Sequence, residues 1–137
     1  MLKKRIAYTD FNDVKREEDF FFYLKKSEVL ELNLSITGGL ENMVNKIVDE
    51  RDSYKIYELF KKIIKMAYGE KSDDGKRFVK QAPDGHLLAD DFESTEACSE
   101  LIIQLMQNPT EAAAFIKGIL PQELQGNITA SAEANKQ

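Results

Sequence analysis

Phe20-Phe21-Phe22-Tyr23-Leu24 places five large apolar residues in succession, in a chain of 137 residues that is 31% charged. Aromatic residues favour strands, and successive strand side chains point to opposite faces. The run therefore predicts a strand buried on both faces, or one whose outer face meets another chain. Left uncovered at a sheet edge it would be an aggregation hazard. Phe20, Phe21, Phe22 and Tyr23 are accordingly the candidate self-association residues, and a homo-oligomer is the expectation. Upstream, Ile6, Tyr8 and Thr9 mark a strand over 3–9, and Asp10-Phe11-Asn12-Asp13 supplies a turn. Residues 1–24 thus read as a β-hairpin.

From Lys25 the apolar period lengthens. Val29, Leu30, Leu32 and Leu34 mark a short helix beginning near Ser27, although the alternation of the last three also suits a strand. Thr37-Gly38-Gly39 breaks the chain, and Leu40, Met43, Val44, Ile47 and Val48 follow helical spacing with Thr37 as N-cap. Asp52-Ser53 caps a third helix with the stripe Ile56, Phe60, Ile63, Ile64 and Ala67, and Gly69 stands where a C′ glycine belongs. Glu70 to Gly85 reads as linker, with one strand-like piece at Arg77-Phe78-Val79. A fourth helix is predicted over 90–107, burying Leu88, Phe92, Leu101, Ile102, Leu105 and Met106. Asn108-Pro109-Thr110-Glu111 starts a fifth, since Asn at N-cap, Pro at N1 and Glu at N3 each suit a helix N-terminus. That helix carries Ala112, Phe115, Ile116 and Ile119 and stops before Pro121. The fold class is α+β, mainly α: an N-terminal β-hairpin, about five helices and a disordered C-terminal tail. One domain covers 1–121, with a helical part over 25–121 and a flexible tail over 122–137, where almost nothing can be buried.

Charge is unevenly spread. Residues 1–68 hold 13 basic and 12 acidic side chains, whereas 69–137 hold 6 and 12, for a net charge of −5. No Lys or Arg occurs between Gln81 and Ile116, while Asp84, Asp90, Asp91, Glu93, Glu96, Glu100 and Glu111 do. Such a segment repels phosphate backbones, so no nucleic-acid partner is expected. It is either a solvated helix face or a landing surface for a basic partner. A single Cys excludes an internal disulfide framework and suits a reducing compartment. No apolar run approaches the roughly 20 residues that span a bilayer, so no membrane partner is expected. The basic start, Lys3-Lys4-Arg5, is soon followed by Asp10 and Asp13 rather than by a signal-peptide apolar region.

Candidate chemistry is thin. Ser72-Asp73-Asp74-Gly75 has the look of a calcium loop, but with Gly75 at position six the twelfth position is Gln81, and Lys71, Lys76 and Arg77 crowd the site. Lys76, Arg77 and Lys80 lack the Gly-rich lead-in to a helix that phosphate binding uses. His86 and Asp90 share helical spacing, yet two ligands without a second His do not make a metal site. Asp90 and Asp91 are adjacent, so on a helix they diverge by about 100° and would not share a proton. Cys98 and Ser99 lack activating neighbours in sequence. No catalytic, cofactor-binding or metal-binding residue is assigned, and the chain is expected not to be an enzyme.

The order of pieces resembles the tail assembly chaperones of long-tailed bacteriophages and prophages of Gram-positive hosts. The aromatic strand at 20–24 leads into Lys25-Lys26-Ser27-Glu28-Val29-Leu30-Glu31. Gly38-Gly39-Leu40 and then Asp52 with Ile56-Tyr57-Glu58-Leu59-Phe60-Lys61 follow in the family's order. Tyr68-Gly69-Glu70-Lys71-Ser72-Asp73-Asp74-Gly75-Lys76-Arg77-Phe78 is the most distinctive piece. Phe92, Thr95-Glu96-Ala97-Cys98-Ser99-Glu100-Leu101 and Ala112-Ala113-Ala114-Phe115-Ile116-Lys117-Gly118-Ile119 with Pro121 complete it. Cys98, where an aromatic is expected, and Pro83-Asp84-Gly85-His86 depart from the pattern.

The resemblance implies a non-enzymatic chaperone that binds the tape measure protein and keeps it soluble during tail tube polymerisation. It also implies the host bacterial cytoplasm as location and absence from the mature virion. In related phages a frameshifted long form recruits tail tube protein, and this chain would be the short form. Apolar stripes and missing positive charge place client contacts on the helices at 53–67 and 92–106, with Glu93, Glu96, Glu100, Phe92 and Phe60 as partner-binding candidates. The alternative is a small structural or regulatory adaptor of the phage tail that remains in the particle.

Overall fold

Period-two alternation begins at the second residue. Leu2, Lys4, Ile6 and Tyr8 turn to one side of β1 (Leu2–Thr9), and only Ile6 is fully buried. The computed structural model describes residues 1–35, 37–39, 41–42, 45 and 53–124. Strand β1 pairs antiparallel with β2 (Lys15–Phe22), from Leu2 opposite Phe22 to Thr9 opposite Lys15. The Asp10 carboxylate closes the turn by accepting from the amides of Asn12 at 2.8 Å and Val14 at 3.0 Å. On the outer face Arg5 donates to Glu17 at 3.0 Å and Asp19 at 3.2 Å, so that face is polar, while the inner one carries Leu2, Ile6 and Tyr8 with Lys4 paired to Glu111 at 3.0 Å.

The hairpin is half of a larger sheet. Strand β3 (Tyr68–Lys71) lies beside β2, with Phe21 opposite Gly69 and Phe22 opposite Tyr68. Strand β4 (Phe78–Val79) completes the antiparallel order β1-β2-β3-β4. Two sequence expectations are thereby corrected. Residues 70–85 are not linker: they hold two strands and two tight turns whose Asp, Gly and Ser content resembles a linker. Nor is Gly69 a helix C′ residue; it lies within β3, and a Cβ there would come within 2.7 Å of both the Phe78 ring and the Val79 carbonyl oxygen. Glycine is required for close approach, not for a left-handed turn.

Residues 26–35 settle as a helix, α1 (Lys26–Ser35), burying Val29 and Leu32. Glu28 starts it by accepting from the Lys25 amide at 2.9 Å. Of the predicted helix over 40–48, residues 41, 42 and 45 are described and are helical; its other positions lie outside the described residues, as does the chain beyond Leu124. Helix α2 (Ser53–Ala67) buries Phe60, Ile63, Ile64 and Ala67 as its stripe requires. The single helix expected over 90–107 is two: α3 (Leu88–Glu93) and α4 (Glu96–Gln107). Ser94 and Thr95 break it. Their hydroxyls donate to the carbonyls of Asp90 at 3.0 Å and Phe92 at 2.7 Å, and Thr95 also accepts from the Cys98 amide at 3.4 Å. Helix α5 (Pro109–Gly118) begins as expected, with the Asn108 side chain accepting from the amides of Thr110 at 3.1 Å and Glu111 at 3.2 Å. Pro121 is buried, and Leu124 packs against the core.

The core gathers on Phe22, which has no exposed surface. Its ring meets Phe115 at 5.2 Å, Phe92 at 5.6 Å and Tyr68 at 5.7 Å, all edge-on, while Tyr68 and Phe92 stack at 4.5 Å. The five-residue apolar run is thus divided. Phe20, Phe22 and Leu24 point inward, whereas Phe21 and Tyr23 lie half-buried, Tyr23 edge-on to Phe78 at 6.2 Å. Phe22→Ala is expected to cost about 3–5 kcal/mol in urea unfolding, and Phe21→Ala about 1 kcal/mol, because only the first leaves a closed cavity.

Candidate functional site

Two surfaces of opposite charge adjoin on this scaffold. The acidic one follows from the missing Lys and Arg over 82–115. Helix α3 carries Asp90, Asp91 and Glu93, and α4 carries Glu96 and Glu100, four apart and therefore on one helix face. Glu96 and Glu100 are exposed and Glu93 is half-buried. Ser99 donates from its hydroxyl to Glu96 at 3.4 Å. Phe60 and Phe92, the aromatic candidates for partner contact, are each 2% exposed. Both are corrected to core positions: Phe60 lies in the hydrophobic core on α2, Phe92 of α3 packs its ring against Phe20, Phe22 and Tyr68, and neither offers surface to a partner. Among Phe20, Phe21, Phe22 and Tyr23, only Phe22 is fully enclosed.

Sequence reasoning missed the basic surface. A groove of about 1210 Å³ opens between α1, α2 and β4, bordered among the described residues by Lys25, Lys62, Lys65, Lys76, Arg77 and Lys80 against only Glu28 and Glu31. Its residues come from three stretches of chain, and no spacing within one stretch announces it. The one local signal, the cluster Lys76, Arg77 and Lys80, reads from sequence as a solvated turn. Lys80 anchors the groove. Its Nζ donates to Glu28 Oε2 at 2.7 Å and to the Met66 carbonyl at 2.7 Å, tying β4 to α1 and to the last turn of α2. Burial holds the Lys80 ammonium below the usual lysine range, and Glu28 opposes that shift. The two surfaces meet where Lys65 of α2 reaches Asp90 of α3 at 3.5 Å.

The residues weighed for chemistry are engaged elsewhere. Asp74 braces the β3–β4 turn, accepting from the Ser72 hydroxyl at 2.7 Å and the Lys76 amide at 3.0 Å, with Gly75 at φ 74°. Hydrogen bonding from Ser72 and Lys76 keeps that carboxyl below its ordinary range. His86 is paired not with Asp90 but with Asp84 through Nδ1 and with Asp91 through Nε2 at 2.8 Å. Cys98 is 5% exposed, a small core residue, and burial pushes its thiol up to about 11. Among the described residues there is no group of three or more His, Cys, Asp or Glu placed to hold a metal ion. Nor is any helix among them long and apolar enough to cross a membrane.

A four-stranded antiparallel sheet carrying helices, with surface charge sorted into an acidic face and a basic groove, defines a small α+β protein. A family model described as phage tail assembly chaperone matches residues 1–137, and the chain belongs to that family. Its role is therefore that of a chaperone in tail assembly. No curated protein and no solved structure matches it.

The His86 cluster has a pH signature. Hydrogen bonds to Asp91 and then Asp84 raise the imidazole above 6.5, so the folded state binds the proton more tightly than the unfolded one. Its contribution to stability is complete below about 6.5 and fades as pH rises through the raised value. An NMR titration is expected to place the His86 midpoint above 6.5, and Asp91→Asn to lower it. The Cys98 thiol is expected to resist a thiol reagent at pH 8 in the folded protein and to react fully in denaturant.

Proposed function

We propose that this chaperone binds the tape measure protein and keeps it soluble while the tail tube polymerises around it, then leaves before the virion is complete. The observation that carries this reading is the family match over the whole chain. A holdase for a long, helical, aggregation-prone client requires charged surfaces that remain soluble while accepting amphipathic helices. The exposed carboxylates of Glu96 and Glu100, with Glu93 beside them, supply a landing face for Lys-rich client helices, and their first effect would be on encounter rate. The role is non-enzymatic, needs no cofactor, and is carried out in the cytoplasm of a Gram-positive host. Self-association through Phe21 and Tyr23, the half-buried members of the aromatic run that do not point inward, belongs to the same proposal. A frameshifted long form would extend the partner set to tail tube protein.

Co-expression with tape measure fragments tests the client. Glu93→Lys/Glu96→Lys/Glu100→Lys is expected to lower co-purification at least about tenfold in low salt, with the circular dichroism spectrum retained. Unchanged recovery from a folded variant would remove the acidic face from the contact. Mass spectrometry of purified particles is expected to find the chain absent; its presence there would make it a structural tail component instead.

A further inference from the structure

We propose that the groove between α1, α2 and β4 is a docking site for an acidic amphipathic helix of a partner protein. This surface is distinct from the α3–α4 face, and the inference stands whether or not the client is the tape measure protein. Its shape comes first. At about 1210 Å³ and open to solvent, the groove exceeds the roughly 300–1,000 Å³ of sites that enclose small ligands. Its floor includes Met66, Phe78, Val79 and Leu87, all half-buried apolar side chains drawn from α2, β4 and the turn after it. A helix lying on such a floor would anchor through apolar residues at i, i+3 or i+4, and i+7.

Charge selects the kind of helix. Lys80 is answered by Glu28 and Lys65 by Asp90. Among the described residues, Lys25, Lys62, Lys76 and Arg77 have no carboxylate within ion-pair distance, and all four are exposed. These cations rim an apolar floor, so the complementary ligand has an apolar stripe flanked by Glu or Asp. The excess is local, since the chain as a whole carries −5. Nucleic acid fits less well, because single strands use successive aromatic platforms and, among the described residues, Phe78 is the one aromatic ring lining the groove.

The full chain is titrated against fluorescein-labelled synthetic peptides and followed by anisotropy. Two peptides share leucines at heptad apolar positions and carry either Glu or Lys elsewhere; oligothymidylate is the third probe. The Glu-Leu peptide is expected to bind saturably, the Lys-Leu peptide and oligothymidylate much more weakly. Lys62→Glu/Lys76→Glu/Arg77→Glu should weaken the Glu-Leu peptide at least about tenfold, and Lys55→Glu, outside the groove, less than about twofold. Circular dichroism checks the fold, and Lys76→Glu alone, in an exposed turn, replaces the triple variant if that one unfolds. The proposal is overturned if the Glu-Leu peptide fails to saturate, if the Lys-Leu peptide or oligothymidylate binds as tightly, or if Lys55→Glu weakens binding equally. It is also overturned if sedimentation shows that the groove cations mediate self-association while the peptide does not bind, since the occupant is then a second copy.

Discussion

The packing of Phe22 is the constraint on which the other elements depend. One ring touches residues 68, 92 and 115, which belong to β3, α3 and α5, so four separated stretches of chain share one contact. The backbone leaving β2 is then pinned from both sides: the Tyr23 amide donates to the Ala67 carbonyl at 2.9 Å and the Leu24 amide to the Ile119 carbonyl at 2.7 Å. These bonds use carbonyls at the ends of α2 and α5 that helix geometry leaves unsatisfied. The direction in which α1 departs is thereby set, and with it the wall of the groove formed by Leu24, Glu28, Glu31 and Leu32. The groove is a consequence of how β2 ends.

Local rules made much of this legible in the sequence. Strands β1 and β2, the stripe of α2 and the Asn108-Pro109 start of α5 each follow from residues within a few positions of one another. The errors share one cause. Gly69 looks like a helix terminator until the Phe78 ring, nine residues away, is seen to need its space. Residues 70–85 look like linker because four strand residues and two turns are too short to show a period. Thr95 looks like a helix-interior residue until its hydroxyl is seen to bond at once to Phe92 and Cys98. In each case a contact between segments, or a side chain competing for the backbone, outweighs the apolar period.

The candidate surfaces divide in the same way. The acidic face was legible, because Glu96 and Glu100 lie on one helix and the missing cations are counted along one stretch of chain. Phe60 and Phe92 were misplaced because the hydrophobicity that makes a residue attractive to a client also draws it into its own core; sequence does not separate the two uses. The basic groove was invisible. Lys25, Lys62 and Lys76 become neighbours only after α1, α2 and β4 have packed, with Lys80 bonded across all three.

Net charge is consequently a poor description of what a partner meets. At physiological salt the Debye length is about 8 Å, so a side chain approaching the groove responds to the cations lining it and scarcely to carboxylates on the far side of the molecule. An overall −5 then sets solubility and weak mutual repulsion between free copies, while recognition is left to patches whose sign can oppose it. The Lys65–Asp90 pair stands at the seam of the two patches, one member from each. Two partners of opposite charge can therefore be discriminated on one small domain without overlapping, each repelled by the neighbouring patch as it is attracted to its own.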